Sequence, residues 1–264
     1  MKSNYRYIVK AFMAMAVIAG TTSCDDFLDR EPMSSISPET YYSTAAQLEA
    51  NLNDEYPNVL PSFGQWTYGI FGEDKGTDNQ IEVNANDRYT QDRWKVPHSE
   101  SDNWKFERIY RINFFLSEAL PKFGEDMSGS QNTISGSVAT IKHYIGEMYF
   151  LRAYEYFKKL QLFGDFPIIN QPLADEMEAL REASKRFPRN EVARFIISDL
   201  DKAYAYMSDV DMATTRINKD VAMLVKSRVA LFEATWLQNF KGTAFVPGGE
   251  GWPGASLHNN YQYP

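Results

Sequence analysis

Three histidines, one cysteine and 35 carboxylates are the groups this 264-residue chain can bring to chemistry. His98, His143 and His258 stand far apart and form no i, i+4 pair of the H-E-x-x-H kind, which sets two imidazoles on one helix face for zinc. No G-x-S-x-G elbow presents a serine nucleophile. Gly249-Glu250-Gly251-Trp252-Pro253-Gly254 satisfies G-x-G-x-x-G, but it follows a helical stretch instead of a strand and contains proline, so it reads as chance. Glu73, Asp74, Asp78 and Glu82 supply oxygen ligands of the sort calcium takes, without the order of an EF-hand loop. The other carboxylates show no spacing that singles out a glycosidase pair. The expectation is a protein that is not an enzyme and that holds no metal and no cofactor.

Binding chemistry is better represented. Between residues 62 and 104 lie Trp66, Tyr68, Phe71, Tyr89, Trp94 and Trp104, interleaved with Asp74, Asp78, Asn79, Asn86, Asp87, Arg88 and Arg93. A sugar ring needs an aromatic face for its C–H side and short polar side chains for its hydroxyls, and this segment offers both. Trp66, Tyr68, Asp74, Asp78, Arg93 and Trp94 are the candidate contacts. Trp104 falls on a helical stripe and is read as packing. A net charge of −8 argues against nucleic acid, whose phosphates need basic patches.

Cys24 has a different chemistry. Lys2, Arg6 and Lys10 precede the ten-residue apolar run Ala11–Gly20, too short to span a bilayer but suited to the core of an export signal. Thr21, Thr22 and Ser23 then lead into the cysteine, which resembles a bacterial lipobox, although Thr21 stands where leucine is usual. The reading is a signal peptide over residues 1–23 with Cys24 as the acylated mature N-terminus; a plain secretory leader with an incidental cysteine is the alternative. Cleavage there removes three basic residues and no acidic one, taking the charge from −8 to −11. Acyl chains must then hold the protein to the membrane, at about 0.8 kcal/mol per buried methylene.

The elements that must position these groups are almost all helical. Apolar spacing predicts helices over about 44–56, 103–120, 137–163, 190–207 and 218–240. Their inward stripes are Leu48, Leu52 and Tyr56; Trp104, Arg108, Ile112, Leu116 and Leu120; and, on the longest, Val138, Ile141, Ile145, Met148, Arg152, Tyr156 and Leu160. The fourth helix takes Asn190 as N-cap and turns Ala193, Ile196, Ile197, Leu200, Ala203 and Tyr204 inward. The fifth carries Ala222, Val225, Val229, Phe232 and Trp236. Pro57 and Pro61 should end the first, Gly164 the third. Residues 62–100 have no period, 175–186 are a charged run, and the tail from Lys241 is a loop. Arg152 and Arg228 sit on otherwise apolar faces, where each should bury its stem and pair with a carboxylate or a helix C-terminus.

Helices two and three form one hairpin and four and five another, an all-α, tetratricopeptide-like superhelix with long aperiodic loops. Cys24-Asp25-Asp26-Phe27-Leu28-Asp29 through Pro32, then Gly146-Glu147 through Leu151-Arg152-Ala153 and Tyr156-Phe157, and Leu162-Phe163-Gly164-Asp165 with Pro167, are similar to blocks of the SusD/RagB family. Arg189-Asn190-Glu191-Val192, Ile197 with Asp199-Leu200, and Val225 with Arg228 and Ala230-Leu231 match its later blocks. The likeness makes 24–264 the N-terminal helical domain of such a protein, ending short of the family's usual length. It implies a lipid-anchored outer-membrane protein facing outward, its acids behind Cys24 serving surface export. It further implies binding of an oligosaccharide or polysaccharide and its delivery to a SusC-like TonB-dependent transporter. An α-solenoid scaffold for other proteins, with no small ligand, is the runner-up, and a lipid-anchored glycoside hydrolase is third.

Overall fold

The computed structural model describes residues 41–61, 74, 79–80, 103–124, 126–208, 212–258 and 261. Its helices lie within the unit Tyr42–Pro264. Six α-helices and no strand occur among the described residues; five answer to the predicted periods, and the sixth is a short one in the charged run.

Helix α1, Ala45–Val59, starts at a capping box: Thr44 Oγ1 accepts from Gln47 N at 3.3 Å, and Gln47 Oε1 accepts from Thr44 N at 3.0 Å. It buries Leu48, Leu52, Glu55 and Val59. Pro57 lies in its last turn and does not end it, because a proline there removes one hydrogen bond near a terminus that already lacks partners.

Helix α2, Glu107–Phe123, starts later than its apolar spacing suggests and is rotated relative to it. Ile109, Ile112, Phe115, Leu116, Ala119 and Phe123 face inward, while Arg108 stays on the outside. A strict i+4 series drifts about 40° round a 3.6-residue helix at every step, so Trp104, Arg108 and Leu120 cannot all share the buried face. Trp104 precedes the helix and still packs, edge-on to Phe163 and Phe166 at 4.9 Å each.

Helix α3, Val138–Phe163, is the axis of the fold. Seventeen of its 26 residues are buried, around the whole circumference, as a helix surrounded by others requires. Ser137 caps it, and Gly164 ends it at φ 68°, a left-handed conformation that suits glycine. Val138, in the first turn, is 40% exposed rather than inward. Helices α1, α2 and α5 pack on α3, and α5 pairs with α6, so both expected hairpins are present.

The charged run contains a short exposed helix, α4, Met177–Ala183. Helix α5, Arg189–Tyr206, begins one residue ahead of Asn190. Asn190 is therefore not the cap: it is buried inside the helix, where its Nδ2 donates to Tyr261 Oη at 2.6 Å. Tyr204 is 44% exposed, and Tyr206 takes the inner face instead, stacked on Tyr149 at 5.6 Å. Gly146 permits this crossing. A Cβ there would lie 2.8 Å from Met207 N and 2.9 Å from Ala203 O, both backbone atoms of the facing chain.

Helix α6, Lys219–Asn239, is capped by Asn218, whose Oδ1 accepts from Val221 N at 3.0 Å. It buries only Ala222, Val229 and Glu233 fully. Arg228 points outward, against expectation, because no described element covers that side of α6.

Candidate functional site

The block Leu162-Phe163-Gly164-Asp165-Phe166-Pro167 turns the chain out of α3, and its next contacts build a cleft. Phe166 and Phe187 exchange backbone hydrogen bonds at 3.2 and 3.0 Å, which closes the intervening loop at its base. Tyr156 Oη pins that loop a second time, accepting from Ile169 N at 2.8 Å and donating to Ile169 O at 3.0 Å. Burial raises the Tyr156 phenol well above its ordinary range, so it remains a donor at any physiological pH.

Asp165 joins three segments. Its Oδ1 accepts from Arg189 N at the start of α5 at 2.8 Å, and its Oδ2 accepts from Trp252 Nε1 at 2.7 Å. Burial raises the pKa of its carboxyl, and these two donors only partly oppose that rise. Arg189 then binds Glu233 of α6 through Nε and Nη2, at 2.8–3.1 Å, and its guanidinium lies 4.1 Å from the centre of the Trp236 ring. Trp236 Nε1 donates to Phe245 O at 3.1 Å, which returns the tail to the end of α6.

These contacts enclose a cleft of about 750 Å³ between the end of α3, the loop before α5, the end of α6 and the tail. Its apolar surfaces come from Leu162, Phe163, Trp236, Phe245 and Leu257, and Trp252 is buried beneath them. Its rim carries Arg181, Lys185 and Arg186. Arg186 is seated over the Trp104 ring at 4.6 Å. Aromatic faces beside polar donors are what a saccharide surface engages.

The G-x-G-x-x-G match has its explanation here. Gly249 passes so close to Thr243 that a Cβ would fall 1.9 Å from Thr243 O, and a Cβ on Gly254 would fall 2.3 Å from the Trp252 ring. These glycines let the tail fold under Trp252; they do not cradle phosphate.

The blocks that the sequence marks as structural hold the scaffold behind the cleft. Arg152 gives Nε and Nη2 to the two oxygens of Asp199 at 2.6 and 2.8 Å, and Nη1 to Asn113 Oδ1 and Asn170 O at 2.9 and 3.0 Å. Glu147 receives Tyr56 Oη at 2.7 Å and Arg216 through Nε and Nη2 at 2.8 and 2.6 Å. His143 Nδ1 accepts from Ser208 N at 3.2 Å, so its hydrogen is on Nε2, 3.0 Å from Ile217 O. It is a core histidine tying α3 to the segment before α6.

Of the residues chosen from sequence, Asp74 is exposed. Cys24, Trp66, Tyr68, Asp78, Arg93 and Trp94 lie outside the described residues, as do Glu73 and Glu82. Among the described residues no group of three or more His, Cys, Asp or Glu is arranged to hold a metal, and no helix is long and apolar enough to cross a membrane. Sequence reasoning missed Trp236, Phe245, Trp252 and Arg186 as neighbours. The signal was present: Trp236 to Tyr261 shows the same mixture of aromatics, glycine and short polar residues as the 62–104 segment.

A family model described as "Starch-binding associating with outer membrane" matches residues 26–231. SusD-like protein P2 of Formosa agariphila is 25% identical over 253 residues, 91% of this chain and 46% of that protein. SusD-like protein P25 of the same organism is 25% identical over 233 residues, 81% of this chain and 41% of its own length. The crystal structure of a SusD-like protein from Bacteroides fragilis superposes with a TM-score of 0.55 at 21% identity, over 80% of this chain and 39% of that one. The chain thus spans less than half the length of these relatives.

Proposed function

This chain belongs to the SusD-like family of starch-binding proteins associated with the outer membrane, and on that premise we propose that it is a lipid-anchored, outward-facing protein. It captures a glycan and passes it to a SusC-like TonB-dependent transporter without performing chemistry on it. The observation that supports capture is the cleft of about 750 Å³ with Trp236, Phe245 and Leu257 on its walls. Asp165, the carboxylate among the described lining residues, has both oxygens engaged, which suits a wall more than an acid–base catalyst. Trp66, Tyr68, Asp74, Asp78, Arg93 and Trp94 extend the glycan surface in this reading, and Cys24 carries the anchor.

Two measurements test it. Cys24→Ala should move the protein from the membrane to the soluble fraction and abolish acyl labelling; retention with label intact would exclude the anchor. A glycan array probed with the full chain should give a polysaccharide hit. On that hit, Trp66→Ala, Trp94→Ala or Phe245→Ala should weaken binding at least about tenfold, or roughly 1.4 kcal/mol, with helicity unchanged. Parental affinity in all three variants would place the glycan elsewhere, and an array without any hit would reject capture.

A further inference from the structure

We infer that the cleft selects a saccharide bearing an anionic group, a uronate carboxylate or a sulfate ester, and that Arg186 receives it. The inference rests on reading the cleft as glycan-binding. The chain as a whole is acidic, at −8, yet Arg181, Lys185 and Arg186 line this cleft beside a single carboxylate, Asp165, among the described lining residues. Asp165 is half-buried, and each of its oxygens already accepts one bond, from Arg189 N and Trp252 Nε1, which ties this carboxylate to the scaffold. Charges are screened beyond about 8 Å at physiological salt, so what docks here is decided by the lining cations with their near neighbours Glu178 and Glu182, and the acids farther off count for little.

The rim cations differ in availability. Arg181 pairs with Glu178 at 3.9 Å and Lys185 with Glu182 at 2.5 Å, all four side chains more than half exposed. Such surface pairs are weak and yield to a better partner. Arg186 is exposed and makes no salt bridge to a described carboxylate, although its charge reaches Asp165 and favours the ionised form of that carboxyl. Its guanidinium is held instead by the Trp104 ring, itself wedged edge-on between Phe163 and Phe166. A guanidinium seated over an aromatic face keeps its planar N–H fork for a two-pronged bond to carboxylate or sulfate. Its position is fixed before the ligand arrives, so little ordering is lost on binding. Phe245 and Leu257, 62% and 51% exposed, supply the apolar contact for the sugar ring beside it.

The test compares binding of the full chain, solubilised in mild detergent, to amylopectin, polygalacturonate and dextran sulfate. At least one acidic polymer should bind about ten times more tightly than amylopectin, polygalacturonate indicating carboxylate and dextran sulfate indicating sulfate recognition. Arg186→Gln should erase that preference, bringing the acidic polymers down to the affinity shown for amylopectin by the same variant, with the thermal midpoint unchanged. Lys226→Gln, which removes a cation outside the cleft, should leave the preference intact. Equal acidic binding by Arg186→Gln and the parent overturns the inference, and so does loss of the preference in Lys226→Gln, which would mark general charge attraction. Amylopectin bound with no preference for either acidic polymer overturns the inference but leaves the glycan reading standing. Binding of none of the three overturns the inference, and the glycan reading then stands or falls on the array.

Discussion

Arg152 is a cation that the fold cannot release: it is 3% exposed, with Asp199 at 0% opposite and Tyr149 and Phe195 each 5.3 Å from its guanidinium. Its five donors are what let one side chain tie α3 to α5, α2 and the loop carrying Asn170. Removing one partner of such a pair strands the other, so Asp199→Asn should cost about 3–5 kcal/mol in urea unfolding. Arg152→Met together with Asp199→Leu should cost markedly less than the two single changes added, because no charge is then left buried. Additive losses would mean that the pair is not coupled. The arginine was legible in the sequence, since a cation on an apolar stripe needs a carboxylate. Identical reasoning failed at Arg228, where the stripe was real but no described element lies over it. Periodicity tells which residues share a face; it does not tell whether that face is covered.

The helices themselves were largely legible, because α1, α3 and α6 carry side-chain caps and apolar rows that local physics dictates. What eluded the sequence was rotation and close approach, which depend on the neighbour. Gly146 illustrates the second. In an isolated helix, alanine there would be favoured by about 1 kcal/mol. In this fold the added Cβ meets Met207 N and Ala203 O, backbone atoms that cannot swing aside. Gly146→Ala should therefore lower the thermal midpoint, with overpacking of about 1–3 kcal/mol outweighing the propensity gain. A raised midpoint would show that α3 and α5 stand further apart. Leu160, 1% exposed near the end of the same helix, tests the burial of α3 from the opposite direction. Leu160→Ala should cost about 2–5 kcal/mol by leaving a cavity, and an unmoved midpoint would mean the site can collapse or is not core.

The cleft was the least legible feature because its walls come from residues 161–165, 181–189 and 236–257, which only the folded helices bring together. The same assembly buries phenols from every part of the stack, and that gives the molecule as a whole a pH limit. Tyr56 and Tyr156 are driven well above the ordinary tyrosine range by burial, and Tyr149 is pushed up to about 12. Tyr144, Tyr206 and Tyr261 are raised too, burial again being the largest cause. In the unfolded chain these groups ionise near pH 10. Above that pH the unfolded state binds fewer protons than the native one, so unfolding free energy falls as pH rises. The contribution is complete below about pH 10 and is lost progressively as pH climbs toward the folded values, at up to about 1.4 kcal/mol per pH unit for each phenol kept neutral. Thermal midpoints should thus decline steeply above about pH 10, and the part of the tyrosinate absorbance that belongs to these six phenols should rise together with loss of helicity, not ahead of it. Tyr149→Phe keeps the ring against Tyr206 and removes one of these protons, so it should flatten the decline without lowering the midpoint at neutral pH. Tyrosinate forming fully in a chain that is still helical would show that these rings are open to water, and that the stack around α3 is looser than its buried side chains require.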